Sequence, residues 1–107
     1  MDILVKLVEQ WSKDKGLDKA ESSKQFLKVV EETGEVASAL ARIGAKPEEI
    51  DNLKDGIGDV VVTLIILAQQ NGLTLQECLQ VAYDEIKCRK GETINGTFVK
   101  QEDLDKN

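Results

Sequence analysis

Apolar positions recur at helical spacing along most of the chain, and polar or glycine-bearing breaks divide them into four segments. Leu4, Leu7, Val8 and Trp11 fall on one face of a helix over residues 2–15. Asp2 is placed to cap its start and Gly16 to stop it. A second helix opens at the capping-box pair Ser22 and Gln25 and runs to Ile43 and Gly44, with Phe26, Val30, Thr33, Ala37, Leu40 and Ala41 as its apolar stripe. Pro47 suits the first turn of a third helix that extends to Asn71 and closes at Gly72, with Glu48, Glu49 and Asp51 near its positive end. Its centre, Val60 to Ala68, is apolar on every side and predicts burial. Thr74 and Glu77 open a fourth helix to Lys90 or Gly91, with Leu75, Cys78, Leu79, Ala82 and Ile86 facing inward. Asn95-Gly96, between Thr93-Ile94 and Thr97-Val99, predicts a short hairpin or an ordered extended tail over residues 92–107, peripheral to the helices and frayed from Glu102 on.

Four helices with short connections predict an all-α four-helix bundle forming a single domain over residues 1–107. The third helix is too apolar for the outside of so small a bundle. It is either the central element or covered by another subunit, and the expected assembly is a homo-oligomer, most simply a homodimer or else a homotetramer.

Composition narrows the function classes. With 41% apolar residues the chain has material for a core, but it is poor in aromatics, with Trp11, Phe26, Tyr83 and Phe98. A net charge of −6 argues against a nucleic-acid or acidic-membrane surface. The longest apolar run is far short of a membrane span and the start carries no secretory pattern, so a cytoplasmic protein is expected. Cys78 and Cys88, placed on one helix roughly 15 Å apart, cannot pair with each other. They read as free thiols of a reducing compartment.

The carboxylates are less ordinary. Glu31, Glu32 and Glu35 cluster at helical spacing around Gly34, and Asp55 and Asp59 do so around Gly56 and Gly58. Like charges one turn apart repel, and Asp59 heads a buried segment where an unpartnered carboxylate is costly. The chain has no His, and Lys28, Arg42 and Lys54 are too few to pair all five acids. A hard divalent cation would satisfy an oxygen-only set of this kind, whereas a solvated acidic face is the plain alternative. The glycines admit two readings as well: close approach of a backbone or ligand, or tight helix packing. Trp11 reads as core or as a platform for stacking a base. Lys87, Arg89 and Lys90, at the end of the fourth helix, read as complements of its dipole or as phosphate contacts.

Lys28 to Val36 with its E-E-x-x-E core, followed by Gly58-Asp59-Val60-Val61 on the next helix, resembles the MazG-like branch of the all-α nucleoside triphosphate pyrophosphohydrolases. The likeness covers residues 22–91, and the ending from Arg89 to Lys100 is similar to that of small MazG-like proteins of phages and Gram-positive bacteria. It implies hydrolysis of a nucleoside triphosphate to the monophosphate and pyrophosphate with magnesium or manganese. It implies Glu32, Glu35 and Asp59 as metal ligands, and Glu31 or Glu35 as the group that accepts the water's proton. Two positions depart from the family pattern. Gly56 stands where that pattern has a Glu, so Asp55 is the substitute ligand, and Asp84-Glu85 replaces an Asn-Lys pair. Phosphate contacts then fall on Lys87, Arg89 and Lys90, with Lys28 and Trp11 as further substrate contacts. Phosphoribosyl-ATP pyrophosphohydrolase and a weakly active or inactive helical binding protein are the alternatives.

Overall fold

The computed structural model describes residues 2–106. In order, the elements are α1 (Asp2–Asp14), a 3-10 turn at Leu17–Lys19, α2 (Ser22–Ile43), a 3-10 turn at Pro47–Glu49, α3 (Ile50–Gln70) and α4 (Leu75–Ile86). A hairpin of β1 (Gly91–Ile94) and β2 (Thr97–Lys100) and a last helical turn, α5 (Gln101–Leu104), complete the chain. The helices fall where the apolar periodicity places them. The chain divides into two compact units, Met1–Leu75 and Gln76–Asn107.

In the first unit α3 is the centre, packed against α2 along its length and against α1. Ile65, Ile66 and Ala68 of α3, Ala39 of α2 and Val5 of α1 are its buried apolar residues. The expectation of a central third helix is met within this unit. The expected core stripes are not. On α2 the residues turned inward are Ser22, Gln25, Val29, Glu32, Val36, Ala39 and Ile43, a seam of alternating three- and four-residue steps. The stripe expected there stands out: Phe26 is 57% exposed, Val30 53% and Leu40 54%. On α1 the inward residues are Val5, Val8, Glu9 and Ser12, while Leu4, Leu7 and Trp11 face outward. Each helix is thus rotated by about one residue from the face that hydrophobicity alone selects.

Amides explain how a partly polar seam is tolerated. Gln25 Nε2 donates to the Thr63 carbonyl at 3.0 Å, and Asn71 Nδ2 donates to Ser22 Oγ at 3.0 Å. Ser22 and Gln25 therefore tie α2 to α3 and do not form the expected cap; no side chain caps the α2 start. Gln69 Nε2 reaches the Glu9 carbonyl and Gln70 Nε2 the Leu17 carbonyl, at 3.1 and 2.9 Å. Pairing buried carbonyls in this way offsets the cost of desolvating them. Gly16 and Gly72 carry φ values of 73° and 70°, the left-handed turns expected where α1 and α3 stop.

In the second unit α4 ends at Ile86, short of the expected Lys90, so Cys88 lies beyond the helix. None of its residues is buried, and Leu79 and Ile86, expected inside, are exposed. The hairpin is as expected: Asn95 and Gly96, at φ 50° and 81°, form the turn, and Ile94 pairs with Thr97 and Gly91 with Lys100. The tail departs from expectation in forming α5, whose first amide donates to the Lys90 carbonyl at 2.8 Å. No single helix among the described residues is long and apolar enough to cross a membrane. Both cysteines are free and exposed.

Candidate metal centre

The α2 seam decides where the acids go. Glu32 occupies an inward position, half-buried against α3, and Glu31 and Glu35 flank it on the exposed side. One oxygen from each of the three comes within 4.8 Å of the others. A wholly solvated acidic face, the plain alternative, does not describe this cluster: Glu32 is part of the inward face of α2. Its Oε2 is buried and has no hydrogen-bond partner. Burial is the largest influence lifting the Glu32 carboxyl above the usual carboxylate range. The adjacent Glu35 carboxyl and the charge of Asp59 add to it, and Lys28 opposes it more weakly. Lys28 itself lies 3.5 Å from Glu31.

Asp55 and Asp59 enter from α3. Together with Glu35, Ser38, Ala39, Arg42, Asn52 and Gly56 they line a cleft of about 350 Å³ between α2 and α3. Asp59 is half-buried and Asp55 exposed. Gly56 is buried, and a Cβ built on it would stand 3.2 Å from Val36 Cγ2. Its glycine is explained by helix packing: the side-chain direction is filled by Val36 and not by an empty ligand position. Gly34 and Gly58 differ, because a Cβ on either meets nothing within 4 Å. No backbone or side chain among the described residues closely approaches Gly34, and the tight packing weighed for Gly58 is missing there.

The remaining predicted contacts are dispersed. Trp11 lines an apolar groove of about 330 Å³ with Leu4, Leu7, Val8 and Val62, which shares no residue with the acidic cleft. In the second unit Lys87 pairs with Asp84 at 3.0 Å and stands 5.9 Å from the Tyr83 ring centre, while Arg89 pairs with Glu85 at 2.9 Å. Lys90 joins Arg89 and Lys100 in a shallow cleft of that unit. Asp84 and Glu85 thus neutralise two of the cations named for phosphate.

Arg42, Ser38 and Asn52 are cleft residues that the sequence reading did not assign. Arg42 was legible in one respect: it lies two turns beyond Glu35 and one beyond Ser38, on the same side of α2. Its Nε faces Glu49 Oε1 at 3.5 Å, and Asn52 Nδ2 donates to Glu49 Oε2 at 2.8 Å. The Asn52 bond, above all, and then Arg42 hold the Glu49 carboxyl below the usual range. Both oxygens of this carboxylate, only 14% exposed, are therefore occupied.

A carboxylate cluster on α2, with one buried oxygen left over and the charge of Asp59 acting on it from α3, has the donor chemistry of a hard divalent cation site. Glu31, Glu32 and Glu35 are placed to hold such an ion, and Glu35 also lines the cleft that Asp55 and Asp59 enter from α3. No solved structure matches the chain. A curated relative, an uncharacterized 18.2 kDa protein in the rep-hol intergenic region of Haemophilus phage HP1, is 45% identical over 69 residues. The match covers 64% of this chain and 39% of that protein, so the chain spans well under half of the relative's length. The MazG nucleotide pyrophosphohydrolase domain matches residues 20–93, a stretch that holds all five carboxylates and runs from the start of α2 into the hairpin's first strand. The chain belongs to the MazG nucleotide pyrophosphohydrolase family.

Proposed function

We propose that the protein hydrolyses nucleoside or deoxynucleoside triphosphates to the monophosphate and pyrophosphate, using magnesium or manganese. The observation that carries this reading is the orphaned Glu32 oxygen, half-buried among Glu31, Glu35 and Asp59. Glu32, Glu35 and Asp59 are the ligands, with Asp55 as the substitute for the family carboxylate that Gly56 lacks. The bound cation supplies charge neutralisation for the phosphates and acidifies the attacking water. Glu31 or Glu35, the more exposed acids, accepts the proton that water loses when its oxygen bonds to phosphorus and the α–β anhydride bond breaks. Positioning and electrostatics do most of such chemistry, which suits a site with no nucleophile of its own. Lys28, Lys87, Arg89 and Lys90 are the proposed phosphate contacts.

The protein acts as a homo-oligomer. Its seam side is polar enough to hold Glu32 and Gln25, while the outward sides of α1 and α2 carry Leu4, Leu7, Trp11, Phe26, Val30 and Leu40. Exposed apolar side chains of this size on α1 and on α2 call for a partner, and a second copy is the partner every solution contains. The two free thiols suit the cytoplasm.

One observation favours a second reading. Val36 Cγ2 stands 3.2 Å from a Cβ at Gly56, so the fourth family carboxylate is regained at that place only if Val36 gives way by a few tenths of an ångström. A weakly active protein that binds nucleotides without turning them over has this property. Pyrophosphate release from a panel of nucleoside triphosphates with magnesium, with Glu35→Gln as control, separates the two. Release of pyrophosphate alongside the monophosphate, lost in the variant, is expected. Magnesium-dependent nucleotide binding with no release across the panel would establish the second reading.

A further inference from the structure

We propose that Arg42 is a phosphate-binding residue of the acidic cleft, held for that task by Glu49. The inference rests on the nucleotide-hydrolase reading and adds to it a residue and a polarity within the site. The cleft has two chemically distinct sets of lining groups. Glu35, Asp55 and Asp59 attract a cation, whereas Arg42, Ser38 and Asn52 are donors. A polyphosphate carried on a divalent ion presents the complement of both: metal toward the acids and spare anionic oxygens toward the donors.

The way Arg42 is held marks it out from an ordinary surface arginine. Glu49 engages it through Nε, the nitrogen nearest the chain, at 3.5 Å. Among the described residues no hydrogen bond occupies its two terminal nitrogens. Those form the planar fork that matches two phosphate oxygens at once. Glu49 is itself fixed by Asn52, one turn along from it, at 2.8 Å. The clamp thus runs from Asn52 of α3 through Glu49 of the 3-10 turn to Arg42 at the end of α2, and limits the side-chain freedom that binding would otherwise have to remove. An ion pair serving stability alone would use the fork end, where two bonds form in place of one.

Calorimetric titration with inorganic pyrophosphate in saturating magnesium, and with magnesium alone, tests this on the wild type, Arg42→Gln, Arg42→Lys and Glu49→Gln. Loss of the fork should weaken pyrophosphate binding by on the order of ten- to a hundredfold, the worth of hydrogen bonds to a charged group. Affinity for magnesium alone should change less than about twofold. Arg42→Lys, a point charge without a fork, should fall between, and Glu49→Gln should weaken pyrophosphate less than Arg42→Gln does. Wild-type binding of pyrophosphate that Arg42→Gln leaves intact overturns the role of Arg42 and spares the hydrolase reading. An equal loss of magnesium affinity in Arg42→Gln overturns it too, by showing that the residue only supports the helices. Failure of the wild type to bind magnesium or pyrophosphate overturns both.

Discussion

Glu32 concentrates the opposing demands on this fold. It sits on a helix seam where an apolar residue would pack at no electrostatic cost, and its carboxyl titrates above the ordinary value of 4.5. Between 4.5 and its higher folded value the unfolded chain has released a proton that the native protein still holds. Stability therefore falls as pH rises through that window. Glu49 has the opposite sign: its stabilising pair is present above 4.5 and lost as pH falls through its lowered folded value. A cation needs the ionised Glu32, so binding should expel a proton, and should stabilise the protein more as pH climbs. Glu32→Gln should then raise the melting temperature of the metal-free protein at neutral pH and abolish the increase that magnesium gives the wild type. Thermal melts at several pH values, with and without magnesium, check both. A variant that melts lower than wild type without metal, or that still gains from magnesium, would show that Glu32 is packing and not ligand.

At the scale of elements, the helices were legible because apolar spacing, Pro47, Gly16 and Gly72 all agree on their bounds. Which side of each helix faces inward was not. Periodicity reports the most apolar side, and on α1 and α2 that side is left exposed, while Gln25 and Glu32 are turned in. Amide clamps such as Gln25 to Thr63 carry no sequence signature, since their acceptors are backbone carbonyls. The carboxylate cluster was legible from spacing alone because all three members lie on one helix. The Arg42–Glu49–Asn52 clamp was not, since it crosses a turn.

The glycines offer a test at the same scale. Gly34 and Gly58 have open space where a Cβ would go, and Gly56 has Val36 at 3.2 Å. Gly34→Ala should stabilise the protein by about 0.5–1 kcal/mol, the helix preference of Ala over Gly. Gly56→Ala should forfeit that gain, because Val36 must shift. Urea unfolding of the two variants gives the comparison, and equal effects would mean that α2 and α3 are not held as closely as the seam requires.

For the molecule as a whole, the buried apolar set of Val5, Ala39, Ile65, Ile66 and Ala68 is small beside the large side chains left outside. Leu4, Leu7 and Trp11 on α1 and Phe26, Val30 and Leu40 on α2 are the residues a protomer would be expected to hide, and in this fold it does not. If a second copy covers them, wild-type protein should sediment at a multiple of 11.8 kDa. A charge on either face should then return it to the protomer mass. Leu7→Asp and Leu40→Asp are suited to this because both side chains are more than half exposed in the protomer. Neither empties a core position, so helix content should hold while association is lost, apart from any stability that depended on assembly itself. Wild-type protein at 11.8 kDa across the micromolar range would reject the assembly outright. Dissociation by Leu7→Asp with Leu40→Asp unaffected would assign the interface to the α1 groove around Trp11, and the converse to the α2 stripe. In the second case the assembly would lie on the helix that carries Glu31, Glu32 and Glu35, and pyrophosphate release should fall with it.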